Sequence, residues 1–268
     1  MGIILQKKGR FMKKYSFIIL LLVSTTATTL WARIETTKIK LYTCCTPSHI
    51  IMREKFLIPS IQDDFEIVSQ EFDQECSTAE FYNHGWKKTT IRKVEFIINA
   101  IKENWGKIFI FSDPDIQFFK PIKQILLSII SKKNLDLAIQ LDKPKNSDSL
   151  WPNKVACTGF FICKGNEKNL RLWEDIKLKM ITSEHSDQAS FNLLLSENNN
   201  PYQLEWEYLP IEFFGGGTLT GIYWKPGKSL PVPENIAMHH ANWTVGVPNK
   251  IKQLEYVKNV VELRKKHN

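Results

Sequence analysis

Residues 38–43 form a short apolar run that reads as a first strand, closed by a Cys-Cys-Thr-Pro-Ser turn. Residues 65–70 read as a second strand. From Thr90 the period changes: Ile91, Val94, Ile97, Ile98, Ile101 and Trp105 recur mostly three or four apart, which predicts a helix with one apolar stripe. Gly106 follows, where a left-handed glycine would end that helix. Residues 107–111 are then continuously apolar, apart from the leading Lys107, and predict a short buried strand. The alternation continues to the C-terminus. Helices are expected over 122–130, 167–180, 186–196 and 250–263, and strands over 136–141, 156–163 and 205–210. Residues 150–154 and 198–201 read as loops, and 213–227 as Gly-rich and irregular. Helices and strands in alternation, with no internal repeat and no long linker, predict an α/β domain with a mostly parallel sheet.

Composition narrows the class. The 268 residues are 43% hydrophobic, 12% aromatic and 24% charged, which suits a packed core and excludes disordered or low-complexity chains. Five Cys, with no C-x-x-C, exclude a small disulfide scaffold. Cys44-Cys45 are adjacent, Cys76 is isolated, and Cys157 and Cys163 flank an apolar run, so buried thiols are expected.

The net charge of +8 invites a nucleic-acid reading until it is located. Residues 1–32 hold Lys7, Lys8, Arg10, Lys13 and Lys14 and no acid. Residues 250–268 hold six basic and two acidic residues, leaving 25 basic and 26 acidic over 33–249. The basicity is therefore terminal. With no aromatic RNA-binding motif, zinc-finger spacing or central basic stripe, nucleic-acid binding is not expected. At the N-terminus, basic residues precede the apolar run 17–23 and then small and polar residues. That is the layout of a secretory signal, either cleaved or kept as a membrane anchor, with the domain proper at 33–268. Serines and threonines interrupt residues 15–32, so they make a weak bilayer span. Either form sends the body out of the cytosol, exported or anchored.

The candidate chemistry starts at Ser112-Asp113-Pro114-Asp115, directly after the apolar strand. In α/β sheets, ligands bind beyond the carboxyl ends of the strands. Carboxylates two residues apart there can share a hard divalent cation, although spacing alone also fits two solvated acids at an Asp-Pro turn. Met238-His239-His240-Ala241-Asn242-Trp243 follows far downstream, then Gly246 and Lys250. A neutral imidazole could complete a metal site, and Lys250 suits a phosphate oxygen. A His pair in a surface turn is the plainer alternative. Ser186-Asp187-Gln188, with Asn192 one turn on, opens a helix; the acid either complements the helix dipole or faces sugar hydroxyls. Gly159, inside an apolar strand, marks either a bulge or the close approach of a ligand.

Taken in order, "KIFIFSDPDIQFFKPI", "CTGFFICKGNEKNLRLW", "SDQASFNLLL" and "HHANWTVGVPNK" resemble the nucleotide-diphospho-sugar transferases, glycosyltransferases of the GT-A fold, over residues 41–254. The resemblance implies a single Rossmann-like domain with a mostly parallel sheet flanked by helices. It implies transfer of a sugar from a nucleoside-diphosphate sugar to a hydroxyl of a glycan, glycoprotein or glycolipid, with Mn²⁺ or Mg²⁺, and leans toward retention at the anomeric centre. Asp113, Asp115 and His240 would be the metal ligands, with His239 the lesser choice. Asp113 would also face the nucleotide sugar, and Lys250 would bind the diphosphate. Asp187 and Gln188 would line the donor-sugar or acceptor pocket as the catalytic pair. Tyr42, Thr43, Lys93 and Gly159 would lie against the nucleotide sugar. One position departs from the pattern: many relatives carry Asn where this chain has Cys157, so a polar contact to the donor sugar is not carried over.

Two other readings use the same residues. A haloacid-dehalogenase-like phosphotransferase also places Asp-x-Asp after an apolar strand, but expects Thr where Gln117 stands. A non-catalytic nucleotide-sugar-binding module would keep the fold without turnover.

Overall fold

The computed structural model describes residues 38–77, 80, 83–143, 154–216 and 223–267. The predicted export segment at 1–32, the loop at 150–153 and part of the Gly-rich stretch lie outside these residues. Ile39–Asn268 forms one compact unit.

The chain opens with β1 (Lys40–Cys45), a helical segment α1 over residues 47–60, and β2 (Glu66–Glu71). Then come α2 (Trp86–Glu103), β3 (Ile108–Ser112), β4 (Ile116–Phe118), α3 (Lys123–Lys132), β5 (Leu137–Lys143) and β6 (Val155–Lys164). α4 (Glu167–Thr182), α5 (Asp187–Leu194), β7 (Trp206–Tyr208), β8 (Phe213–Gly215), β9 (Met238–His240) and α6 (Val247–His267) complete it. Six strands form the main sheet in the order β2-β1-β3-β6-β5-β7. β1 runs parallel to β2 and β3, and β5 runs parallel to β7. Only β6 is reversed, pairing antiparallel with both β3 and β5. The fold is thus α/β with a mostly parallel sheet, as the alternation predicts.

Both faces of the sheet are buried, and the alternation along each strand divides the side chains between them. In β3, Phe109 and Phe111 pack with Val94, Ile97 and Ile101 of α2 and Trp173 of α4. Ile110 packs on the other face with Leu126 and Ile130 of α3. A strand apolar at every position is what two covered faces require. Both elements flanking β3 are tied to it in this way, so its C-terminal end is held firmly.

Three short strands form a second sheet, β4-β9-β8, beside that end. β4 pairs antiparallel with β9, setting Ile116 opposite His240. The His pair therefore lies in a buried strand and not in a surface turn. Single-sequence periodicity did not mark β4, β8 or β9, each only three residues long. It also assigned no helix to residues 47–60, which begin as a 3-10 turn at Pro47–His49 and pass through a π-type stretch at Arg53–Leu57. A widened turn shifts the apolar spacing away from three and four. β1 runs two residues past the predicted end, and α2 starts at Trp86 rather than Thr90. All five Cys are buried and none forms a disulfide.

Candidate functional site

Asp113 follows β3 directly, and its N–H donates to the Gly159 carbonyl of β6 at 2.7 Å, extending the ladder by one residue. Two residues on, the Asp115 carbonyl accepts from Ala241 N–H at 2.9 Å, which docks the Asp-Pro-Asp turn against the end of β9. The backbone thus brings both acids to His240. Its Nε2 lies 3.3 Å from Asp115 Oδ1 and 4.0 Å from Asp113 Oδ2. One ligand atom from each of the three residues lies within 4.8 Å of the others. Among the described residues this is the only such group.

The chemistry of this donor set fits a divalent cation of the Mn²⁺ or Mg²⁺ type: two hard carboxylate oxygens and one imidazole nitrogen. The surroundings orient it further. Gln140 Nε2 donates to the Phe213 carbonyl at 3.1 Å, which turns Oε1 toward His240 Nδ1 at 2.9 Å. An outer partner on one ring nitrogen is the usual way of aiming the other at a metal. Gly159 lies directly beneath. A Cβ there would meet His240 Cε1 at 2.3 Å and Asp113 Oδ2 at 2.7 Å. The strand glycine is needed because two ligands converge on it.

Two lysines neutralise the acids. Lys250, in the first turn of α6, is ion-paired with Asp115 and donates to the Ala241 carbonyl at 3.3 Å. Lys93, midway along α2, lies 2.9 Å from Asp113 Oδ1 and 3.1 Å from Asp187 Oδ2. Thr158 Oγ1 also donates to Asp187 Oδ2 at 2.9 Å. Burial pushes the Asp115 carboxyl up, but Lys250 and then His240 outweigh it and hold the group well below the usual range. Burial pushes Asp187 up as well, and Lys93 with Thr158 reverses that to a net lowering. Asp113 is raised, because burial and the neighbouring Asp115 charge exceed the pull of Lys93. Burial opposes charge on His240, yet Asp115 carries it up to about 10. The imidazole thus belongs to a cluster of six charged or titratable groups, with Asp113, Asp115 and Asp187 facing Lys93, Lys250 and His240.

These groups line a cavity of about 490 Å³, within the usual range for a small-molecule site. Sheet order divides its walls. The end of β1 lies on one side of the acids and the end of β5 on the other. Thr46, His49, Phe72 and Gln74 line the β1 side. Asp142, Gln188, Tyr223 and Trp243 also line the cavity, and Asp142 places them on the β5 side. There the Asp142 carboxylate accepts from Gln188 Nε2 at 2.9 Å, Asn242 Nδ2 at 2.5 Å and Trp243 Nε1 at 2.9 Å. Trp243 holds a left-handed backbone, with φ of 54°. Such a conformation costs a bulky residue about 1–3 kcal/mol and persists only where its surroundings enforce it. Here the indole bond to Asp142 and a 2.8 Å bond from Trp224 N–H to the Trp243 carbonyl do so.

Of the residues proposed from sequence, Lys93, Asp113, Asp115, Gly159, Asp187, Gln188, His240 and Lys250 all line this cavity. Tyr42 and Thr43 do not, which corrects their expected place. β1 extends to Cys45, so the strand end at the cavity is Cys44-Cys45-Thr46. Tyr42 is 1% exposed and packs edge-on against Phe96 and Phe109. Its hydroxyl donates to Glu103 and accepts from Asn104. Thr43 is fully buried. His239 is fully buried too, and stacks on Phe214 5.4 Å away rather than facing the acids. Asn192 bonds both backbone groups of Ala156, a structural task. Cys157 sits 3.6 Å from His240 Nδ1, and burial, first among its influences, keeps it a thiol. Sequence reading missed Gln140 and Asp142. Their signal was a second polar-x-polar pattern at the end of a buried strand, Gln140-Leu141-Asp142, like the one that marked Asp113 and Asp115.

Comparison with known proteins gives three results. The sequence profile described as nucleotide-diphospho-sugar transferase matches residues 60–254. No curated protein sequence matches the chain. Among solved structures, a glycosyltransferase involved in the glycosylation of the major capsid of PBCV-1 aligns with a TM-score of 0.51 at 11% identity, over 81% of this chain and 99% of that one. The apo structure of WbbM, a bifunctional glycosyltransferase, aligns at 0.50 and 10% identity, over 82% of this chain and 50% of that one. At these identities the likeness shows the fold, which is that of GT-A glycosyltransferases.

Proposed function

Because the chain belongs to the nucleotide-diphospho-sugar transferase family and is a glycosyltransferase, we propose that Asp113, Asp115 and His240 hold a divalent cation against a nucleoside-diphosphate sugar. The observation that carries the reading is the convergence of three ligand atoms within 4.8 Å, drawn from the ends of β3 and β9 over a glycine of β6. When bound, Mn²⁺ or Mg²⁺ would supply positive charge to the diphosphate as it leaves.

The remaining steps belong to the chain's own residues. The Lys250 ammonium, beside Asp115, is placed to donate to a diphosphate oxygen. Thr46, His49, Phe72 and Gln74 offer the nucleoside a wall of mixed polar and aromatic character. Asp187 and Gln188, at the N-terminus of α5, face the donor sugar or the acceptor hydroxyl. Lys93 and Thr158 outweigh burial in favouring the charged Asp187 carboxylate, and those same bonds support a positioning role over a nucleophilic one. An acceptor hydroxyl, on a carbohydrate or glycoconjugate, forms the new bond to the anomeric carbon while the bond to the diphosphate breaks; the diphosphate leaves with the electron pair and takes up the hydroxyl proton. Family membership sets aside the phosphotransferase alternative. The apolar N-terminal segment supports delivery of the body outside the cytosol, exported or membrane-attached. Fractionation of the tagged full chain tests this, and a cytosolic body would refute it. Among the described residues no helix is long and apolar enough to cross a membrane.

A melting experiment tests the site. Mn²⁺ with a nucleoside diphosphate is expected to raise the melting temperature of the full chain, and Asp115→Ala to abolish the rise. Ligand at a hundredfold its Kd stabilises by about 2.7 kcal/mol. No rise with any common nucleoside diphosphate would overturn the reading. A hydrolysis screen of UDP- and GDP-sugars then names the donor and separates an enzyme from a binding module.

A further inference from the structure

The β5 side of the cavity carries an aromatic pair to which the metal–nucleotide reading gives no task. Tyr223 and Trp243 stack there with ring centroids 5.5 Å apart and a tilt of 40°. Both line the cavity. Tyr223 is 50% exposed, unlike the large aromatic side chains of the core, so its ring is presented and not packed away. The indole N–H of Trp243 is already bonded to both oxygens of Asp142 at 2.9 Å. What the ring still offers a ligand is its face. The left-handed backbone of Trp243 is one its surroundings must enforce, and the Asp142 bonds fix the indole.

The surroundings narrow the ligand. Amide and carboxylate groups of Gln188, Asp142 and Asn242 adjoin the rings. An aromatic face beside a cluster of fixed hydrogen-bonding groups matches a pyranose, which has one C–H face and a rim of hydroxyls. It matches poorly the bare hydroxyl of a serine or threonine, which has no such face. Sheet order sets this wall across the acids from the end of β1, where the nucleoside wall lies. A ligand stacked here therefore approaches the reaction centre from the side opposite the nucleoside.

We propose that Trp243 and Tyr223 form a stacking wall for the acceptor, and that the acceptor unit bound there is a pyranoside. The proposal rests on the glycosyltransferase reading of the cavity and adds the substrate class and two specificity-determining residues. Asp142 fixes the indole, and the Tyr223 ring lies against it at a 40° tilt.

Saturation-transfer NMR on the full chain tests it, using methyl α- and β-pyranosides of glucose, galactose, mannose, xylose and N-acetylglucosamine. Spectra are recorded with and without Mn²⁺ and the nucleoside diphosphate that stabilises the chain. At least one pyranoside is expected to receive saturation, strongest on the protons of one C–H face. Tyr223→Ala is expected to lower that signal several-fold, and Trp243→Phe to lower it less than Trp243→Ala. In the Tyr223 variant the nucleotide should still raise the melting temperature. Should Trp243→Ala fail to fold, the exposed Tyr223 carries the test alone. Nucleotide binding by the parent with no pyranoside signal overturns the proposal. So does a signal unchanged in both Tyr223→Ala and Trp243→Phe, or a Tyr223→Ala chain that no longer responds to nucleotide, which would give the wall to the nucleotide. Pyranoside binding without any nucleotide response in the parent would sink the metal–nucleotide reading and leave the wall standing.

Discussion

Gly159→Ala perturbs the site with a single methyl group. The added carbon would sit 2.3 Å from His240 Cε1, 2.7 Å from Asp113 Oδ2 and 3.1 Å from His240 Nε2. Carbon atoms pack at about 3.5–4.0 Å, so the imidazole must withdraw by about 1 Å or more. Its room to do so is small. Gln140 holds Nδ1 at 2.9 Å, and the His240 backbone is paired in β9. The effect on folding is a difference of two terms. Overpacking costs about 1–3 kcal/mol. Alanine recovers about 0.5–1 kcal/mol relative to glycine in a strand. The net loss is therefore about 0–2.5 kcal/mol, or up to about 10 °C at about 2–4 °C per kcal/mol for a domain of this size. The effect on chemistry should be larger, since a 1 Å misplacement costs about a hundredfold in rate. Two measurements separate the terms: the melting temperature with and without Mn²⁺ and nucleoside diphosphate, and donor hydrolysis. The variant should fold, lose most of the ligand-induced rise and hydrolyse donor about a hundredfold more slowly. A Gly159→Ala chain that keeps the full rise and hydrolyses within threefold of the parent would show that His240 and Asp113 need not converge.

Other expectations follow from the charge cluster. Lys93→Met leaves Asp113 and Asp187 buried without their shared cation, and should destabilise by about 3–5 kcal/mol. Adding Asp187→Asn should recover part of that loss, and strictly additive costs in denaturant melts would argue against the bridge. Lys250→Met should raise the nucleoside diphosphate concentration needed for stabilisation by tenfold or more; an unchanged midpoint would remove Lys250 from the diphosphate site. Asp136, at the opposite end of β5, accepts from Glu205 N–H at 3.1 Å, Asn166 at 2.8 Å and Lys168 at 3.0 Å. Burial raises its carboxyl, but the Glu205 N–H and then Lys168 reverse the shift and leave it lowered. A lowered folded value means stability present above the unfolded value of about 3.9 and lost as pH falls through the folded value. Asp136→Asn should therefore cost about 1–3 kcal/mol at pH 7, with the gap to the parent closing below about pH 4. A gap that is constant from pH 7 to pH 3 would refute the assignment.

The sequence by itself determined the architecture and most of the chemistry. Two covered faces demand strands apolar at every position, and residues 108–111 and 160–163 meet that demand visibly. The stripe from Ile91 to Ile101 likewise announces a helix packed along one face. Because ligands bind at the carboxyl ends of such strands, position made Asp113 and Asp115 candidates, and a glycine inside an apolar strand made Gly159 one, each beside a plainer alternative. His240, Lys250, Asp187 and Gln188 were candidates by residue type, and only the family likeness gave them their roles, since no local period marks them. Tertiary structure decided the rest. Whether Tyr42 faced ligand or core depended on where β1 ends, and that end is set by pairing through Cys45 with β2. Whether His240 lay in a turn or beside the acids depended on a three-residue strand held between β8 and a strand more than a hundred positions away in sequence. Gln140, Asp142, Tyr223 and Trp243 converge from separate segments, and their roles follow from the neighbours they meet. Periodicity is a property of consecutive residues. A binding site joins the ends of elements distant along the chain, and only the folded backbone brings those ends together.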